Sequence, residues 1–394
     1  MIPYGKQNIT EEDIQTVIST LKSNYLTQGP AILEFEQAFA RYVGSKYAVA
    51  VANGTAALHL STLALNVQPG DKVITTPITF AASANCIRYC GGEVVFADID
   101  PDTYLLDIKK VEEILLASPK GTYSGIIPVD FGGRACDLEA FQALAREHGL
   151  WIIEDACHAP GGHFRDLKGE RQLCGSGNFA ELAIFSFHPV KHIACGEGGM
   201  VTTNDEELYK QLLRLRSHGI TKGDDEYTNT LEFANGVGGQ NTYPGWYMEM
   251  QQLGFNYRLT DFQAALGTSQ LSRADEGLVK RRIIAKSYNS AFQDEEFLIS
   301  QSGFHDGHAY HLYVIEVKDR LGLYNYLKKH GILAQIHYIP CHLMPYYRGL
   351  GWSEGDMPFA EAYYKHCISL PIFPTLTRDE QQFVIDKVKA YYNG

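Results

Sequence analysis

Ser186 and Lys191 sit five residues apart in Ser-Phe-His-Pro-Val-Lys, at the end of an apolar run from Ala180 to Phe187. A Gly-Glu-Gly-Gly turn at 196–199 follows and leads into a second apolar stretch, Met200-Val-Thr-Thr. The first run reads as a buried strand whose end delivers polar groups to the mouth of a sheet, where open α/β proteins bind ligands. A lysine held there among apolar and aromatic neighbours loses hydration, which disfavours its charged form and frees the amine lone pair to attack a carbonyl. That chemistry suits an imine-forming lysine for pyridoxal phosphate (PLP). A solitary lysine is more commonly a snorkelling surface side chain, so other residues must support the reading.

They do so in chain order. Asn53-Gly-Thr-Ala-Ala57 lies between an apolar run and a helical one. Free amides at a helix N-terminus, approached closely through Gly54, form a seat for phosphate, although a plain N-cap has the same signature. Asp155 ends the apolar run Leu150-Trp-Ile-Ile-Glu154. A carboxylate at a buried strand end needs a partner, and a pyridinium N–H supplies one while making the ring an electron sink. His158 could touch ring substituents, and Phe80 could stack on a planar cofactor or belong to the core. Glu197, between glycines, reads as a turn residue. Asn256 and Arg258 could reach across an interface. In Gln335-Ile-His-Tyr-Ile-Pro-Cys-His342, strand alternation sends His337 and Tyr338 to opposite faces, which argues against a shared role.

Elements must position these groups. Thr10-Glu-Glu-Asp opens a helix through Leu21, and 31–43 forms another with Ile32, Phe35, Phe39 and Val43 on one face. Strands are expected at 47–52, 72–76, 93–98, 125–130, 150–155, 180–187 and 199–203, with helices near 55–65, 80–90, 107–117, 137–148 and 205–216. Continuous apolar strands between helices predict an α/β domain around a mostly parallel sheet covered on both faces. The glycine-rich stretch 221–252 is too long for a simple connection and reads as a functional loop. One long helix, 260–285, then leads to strand 310–317, helix 320–330, strand 332–338 and helices 358–367 and 377–392. The chain divides into an N-terminal arm (1–28), a large α/β domain (29–259), and a linking helix with a smaller α+β C-terminal domain (260–394).

The 394 residues are 45% hydrophobic and 20% charged, ample for a sizeable core. The net charge of −12 disfavours nucleic acid or an anionic membrane as partner. No stretch of 18 apolar residues spans a membrane, and the first residues lack the apolar run of a signal peptide. Eight scattered cysteines without C-x-x-C spacing suggest reduced thiols in the cytoplasm and no metal site.

The order of these motifs resembles the DegT/DnrJ/EryC1/StrS sugar aminotransferases from about Ile2 to the last helix. The marks are Leu26-Thr-Gln-Gly29, Gly54-Thr-Ala-Ala57, Glu154-Asp-Ala, Ser186-Phe-His-Pro-Val-Lys191, Gly196-Glu-Gly-Gly199 and Gly254-Phe-Asn-Tyr-Arg258. The resemblance implies the PLP-dependent aspartate-aminotransferase fold (fold type I). It implies Lys191 as the cofactor lysine, Asp155 at the pyridine nitrogen, and Gly54, Thr55, Ala56 and Ser186 around the phosphate. Asn256 would reach the phosphate of a second subunit, in a homodimer with shared sites. Members that are dehydratases carry histidine at the lysine position, so Lys191 favours amino transfer.

Within the family the likeness is greatest to the branch in pseudaminic acid biosynthesis, on Pro3-Tyr4, Tyr25-Leu-Thr-Gln-Gly-Pro30, His158-Ala and Ala334-Gln-Ile-His-Tyr338. That branch moves the amino group of L-glutamate to C4 of a UDP-linked 4-keto-6-deoxy-N-acetyl hexose. Its substrate contacts map to Tyr4, Asn24, Tyr25, Leu26, Thr27, Gly54, Ser186, Asn256, Gln335, Ile336, His337 and Tyr338. The chain departs from the family pattern at Asn53, Cys157-His-Ala-Pro-Gly161, Gly132-Gly-Arg134 and the long 221–252 segment. Two other readings stand beside this one: a different 4- or 3-keto nucleotide-sugar aminotransferase, and a PLP-bound sensor without turnover.

Overall fold

The computed structural model describes residues 1–223 and 226–393. Its centre is a seven-stranded sheet made of β1 (Tyr47–Val51), β2 (Lys72–Thr75), β3 (Glu93–Phe96), β4 (Gly125–Ile127), β5 (Trp151–Asp155), β6 (Leu182–Ser186) and β7 (Gly199–Thr203). Their order is β1-β7-β6-β5-β4-β2-β3, parallel throughout except for β7, which runs against both neighbours. The side chains of Val49, Val51, Ile74, Ile126, Ile153, Ile184 and Val201 are fully buried, as strands covered on both faces require. Because β7 is reversed, its first residue lies at the same sheet edge as the last residues of the others: Gly199 pairs with both Val51 and Ser186. This edge collects the loops that follow β1, β2, β4, β5 and β6.

The N-terminal helix Glu11–Leu21 starts with the expected capping box, Thr10 and Asp13 each accepting from the other's amide. It packs on the helix Asp261–Leu271. Asp13 is fully buried there and accepts from Ser269 Oγ (2.6 Å), Gln270 Nε2 (2.7 Å) and Arg273 Nη2 (2.8 Å). The single helix expected over 260–285 is two, Asp261–Leu271 and Ala274–Phe292. At the break Ser272 turns its hydroxyl onto the Ser269 carbonyl (2.7 Å), and Arg273, at φ −114°, is drawn to Asp13.

The C-terminal region has its own core, in which Tyr288, Phe292, Tyr313, Ile315, Leu327 and Ile368 are buried. It surrounds an antiparallel sheet of Leu298–Gln301, Tyr313–Val317 and Cys367–Leu370, backed by Ala274–Phe292, Arg320–Lys329 and Arg378–Asn393. The strand expected over 332–338 shrinks to Ile332–Leu333, which pairs in parallel with Ile2–Pro3 and so brings Tyr4 to the sheet edge. Beyond it only Gln335 bridges to Ser369.

The long 221–252 segment has structure of its own, apart from residues 224 and 225, which lie outside the described residues. Ile220–Thr221 pairs with Glu249–Met250, and a short helix Leu231–Asn235 lies between them. Buried Glu249 accepts from the amides of Thr228 and Asn229, the hydroxyls of Thr228 and Tyr247, and Gln251 Nε2, at 2.8–3.0 Å. These bonds hold its carboxyl down at about 2, against the upward pull of desolvation. Among the described residues no helix is long and apolar enough to cross a membrane.

Candidate active site

A cavity of about 440 Å³ opens at the sheet edge, lined by residues from five strand ends, the N-terminal arm and the C-terminal region. One end is a glycine cradle. Gly54 begins the helix Gly54–Ala64, and a Cβ added to it would stand 3.0 Å from Ser186 Cβ and 3.3 Å from Ser186 Oγ. Only glycine lets the helix start come this close to Ser186. Asn53 caps the helix by accepting from the Ala56 amide (2.8 Å), so the N-cap reading of this turn holds. That bond takes up the Ala56 N–H, and Ala56 itself is buried outside the cavity wall. Thr55 and Ser186 do line the cavity.

Lys191 lines the wall nearby. Burial lowers its pKa, opposed by the negative charge of Asp155, so a larger share of its amine is neutral than in water. Asp155, 4% exposed, ends β5 and lines the cavity too. Its Oδ2 accepts from Ser83 Oγ (2.6 Å) and its Oδ1 from the Cys157 amide (3.2 Å). Thr79 Oγ1 in turn lies 2.7 Å from Ser83 Oγ. These contacts tie the carboxylate to Ser83 and to the turn that follows β5, and it still lines the cavity. Burial and the Asp155 charge push the Cys157 thiol up, which keeps it protonated.

His158 is fixed by its neighbours. The Gly132 amide donates to its Nδ1 (3.2 Å), so the ring proton is on Nε2, which donates to Tyr338 Oη (3.3 Å). The phenol proton of Tyr338 is then not used in this bond. Burial first, and then Lys191 and two further histidines, hold His158 neutral. His311 packs against it, tilted by 34° with ring centroids 4.3 Å apart, and its Nδ1 is buried without a partner.

His337 and Tyr338 both line this cavity, contrary to the alternation argument. The reason is that the chain has left strand geometry by then, so the period of two no longer applies. His337 accepts from or donates to Ser369 Oγ at 2.9 Å and is pushed down to about 3, chiefly by burial and then by Lys191. Tyr4 packs on it at 5.1 Å. Phe80 is not a core residue: it is 62% exposed at the cavity mouth.

Of the residues singled out in the sequence, Tyr4, Gly54, Thr55, Phe80, Asp155, His158, Ser186, Lys191, His337 and Tyr338 meet in this one cavity. Gln335 and Ile336 do not; the first bridges to Ser369 and the second packs against the cores. Asn24, Tyr25, Leu26, Thr27 and Asn256 also lie outside this chain's cavity, and all five are exposed. Sequence reading passed over Thr79, Ser83, Cys157 and His311. Ser83 and Asp155 are 72 positions apart and meet only through the sheet order, and nothing local distinguishes His311 from a core histidine.

The model of the DegT/DnrJ/EryC1/StrS aminotransferase family matches residues 7–389. This chain belongs to that family. It is 39% identical to the spore coat polysaccharide biosynthesis protein SpsC of Bacillus subtilis, over 100% of this chain and 97% of that one. It is 35% identical to the UDP-4-amino-4,6-dideoxy-N-acetyl-beta-L-altrosamine transaminase of Campylobacter jejuni, over 100% of both. Among solved structures it superposes on Helicobacter pylori PseC, an aminotransferase of pseudaminic acid biosynthesis, with a TM-score of 0.86, 30% identity and coverage of 100% and 99%. It also superposes on the PMP form of the putative sugar aminotransferase Spr1654 of Streptococcus pneumoniae, with a TM-score of 0.88, 29% identity and coverage of 100% and 99%.

The fold is thus that of PLP sugar aminotransferases, and the chain is an aminotransferase with PLP as its cofactor. The cavity fits the group on its own terms. It offers a cradle that a Cβ would crowd, a hydroxyl beside it, a desolvated amine and a buried carboxylate.

Proposed function

We propose that this family member moves the amino group of L-glutamate to C4 of a UDP-linked 4-keto-6-deoxy-N-acetyl hexose, giving UDP-4-amino-4,6-dideoxy-N-acetyl-β-L-altrosamine. The observation that carries the amino-transfer chemistry is the desolvated Lys191 sharing one cavity with buried Asp155 and the Gly54–Ser186 cradle. The choice of sugar rests on the Campylobacter relative and the Helicobacter neighbour.

Bound PLP supplies an electron sink that stabilises negative charge at the carbon losing its proton. Gly54, Thr55 and Ser186 would hold its phosphate, Asp155 would pair with its ring nitrogen, and the Lys191 amine would anchor it between turnovers. Once the incoming glutamate amine has displaced it, the free Lys191 Nζ would take the proton from the α-carbon of glutamate, and in the second half-reaction it would deliver one to C4 of the sugar. Tyr338, its own lone pair occupied by His158, donates its proton to an oxygen of the bound ligand. His337 and Tyr4 shape the sugar end.

The sites are shared in a homodimer, with Asn256 and the exposed segment 24–27 reaching the cavity of the second copy. This reading accounts for functional motifs that lie outside the cavity of their own chain. The eight free cysteines suit a cytoplasmic setting.

The deciding experiment incubates the protein with glutamate and a panel of 4-keto nucleotide sugars and assigns the product's stereochemistry by NMR. We expect the altrosamine product with release of oxoglutarate; no amination of any UDP-linked acceptor would sink the assignment. The resemblance to SpsC supports a second reading, a different nucleotide-sugar acceptor, which the same panel identifies.

A further inference from the structure

The strand end that carries Asp155 has a second face. Glu154 and Asp155 are consecutive in β5, so their side chains point to opposite sides of the sheet, Asp155 into the cavity and Glu154 away from it. On that hidden side Glu154 meets Asp130, which follows β4. Each is 1% exposed. One oxygen of each is satisfied by backbone: the Cys136 amide donates to Asp130 Oδ1 (2.8 Å) and the Gly175 amide to Glu154 Oε2 (2.9 Å). The remaining oxygens, Asp130 Oδ2 and Glu154 Oε1, are buried without a donor. The two carboxyls and Cys174 Sγ bring atoms within 4.8 Å of one another.

The other titratable groups around the pair are the thiols of Cys136 and Cys174, with Asp137 beyond Cys136 and the Cys157 thiol within reach of the Asp130 charge. Neither carboxyl takes part in any ion pair among the described residues, whereas buried Glu36 and Asp13 each have an arginine. Two carboxylates side by side in a dry interior, with no basic side chain paired to them, cannot both stay ionised.

We propose that Asp130 and Glu154 hold one proton between them, a carboxylic acid donating to a carboxylate through Asp130 Oδ2 and Glu154 Oε1, and that this bond positions Asp155 for the cofactor. The same two chain segments are already joined at the backbone. The Asp130 amide donates to the Asp155 carbonyl (3.0 Å), and the Asp155 amide donates to the Pro128 carbonyl (2.9 Å). The side-chain bond closes this ladder from the far face, so the peptide bearing Asp155 is held from both sides. Burial, joined at Glu154 by the charge of Asp130, pushes both groups above the ordinary carboxylate range. Carboxyls of the unfolded chain titrate near ~4. The pair's contribution to stability is therefore complete below that pH and is lost as pH rises through the raised folded value. Once the proton leaves, two like charges push the strand ends apart.

The positioning role rests on Asp155 facing the ring nitrogen of PLP; the shared proton does not. The test compares the native protein with Asp130→Asn, whose amide N–H can donate to Glu154 but cannot titrate, and with Glu154→Gln. Difference infrared spectra of the metal-free apoprotein should show the carbonyl band of a neutral carboxylic acid, absent from both variants. Native PLP affinity, read by fluorescence titration, should fall about tenfold across the pH range in which that band disappears. Asp130→Asn should keep a flat profile. A native protein without the band overturns the shared proton, as does a stoichiometric metal in freshly isolated protein that Asp130→Asn lacks. A band that titrates while PLP affinity stays level overturns the positioning role alone.

Discussion

Gly54 is the position where an added methylene group meets the most consequential neighbour. A Cβ there needs Ser186 to retreat by a few tenths of an ångström, and Ser186 is the residue facing it across the cradle. Gly54→Ala should leave the fold intact and weaken PLP binding about tenfold, measured by equilibrium titration. Lys191→Ala should abolish steady-state amination and leave no borohydride-reducible link between protein and cofactor; turnover in that variant would refute its role. Tyr338→Phe removes the only proton that His158 leaves free to meet a ligand, so kcat should drop about tenfold or more while the protein stays folded. Lys191, Asp155 and Ser186 were legible from their places at strand ends. Ser83 and His311 were not, because their contacts join segments far apart in the chain.

Among the elements, the 221–252 segment is held by one carboxylate. Glu249→Gln keeps the shape but can no longer accept from five donors as an anion, so limited proteolysis should cut within this segment faster than in the native chain. The same anchoring should be lost in acid as pH falls from the usual glutamate range toward 2, since the folded group titrates at about 2. The arm is welded by Asp13 to the helix break at Ser272 and Arg273. Hydrogen bonds from Arg273 and Ser269 hold this carboxyl below its usual value, even though burial acts to raise it. Asp13→Ala strands a guanidinium and an amide, and denaturant unfolding should register a loss of about 2–3 kcal/mol. The apolar pattern over 260–285 could not reveal this break, since the hydrogen bonds that cause it come from residue 13 and from a serine hydroxyl.

For the whole molecule, the shared-site reading makes a prediction that no single-chain reading makes. Lys191→Ala and Asn256→Ala should each be inactive as homodimers. Mixed and allowed to exchange subunits, they should recover roughly a quarter of native activity, because half of the dimers then contain one site with both native residues. No recovery, with exchange verified by tagged subunits, would place Asn256 outside the partner's site.

The sequence by itself determined the βα rhythm, the strand ends that carry Asp155, Ser186 and Lys191, and the family, because buried strands write continuous apolar runs and glycine turns beside them. Those are local patterns, each confined to a few consecutive residues. Only the tertiary structure decided that His337 and Tyr338 share a cavity wall, that Ser83 donates to Asp155, and that Asp130 lies against Glu154 with one oxygen of each left without a donor. Such relations depend on strand order and on where a strand stops, and neither is encoded within reach of a periodicity.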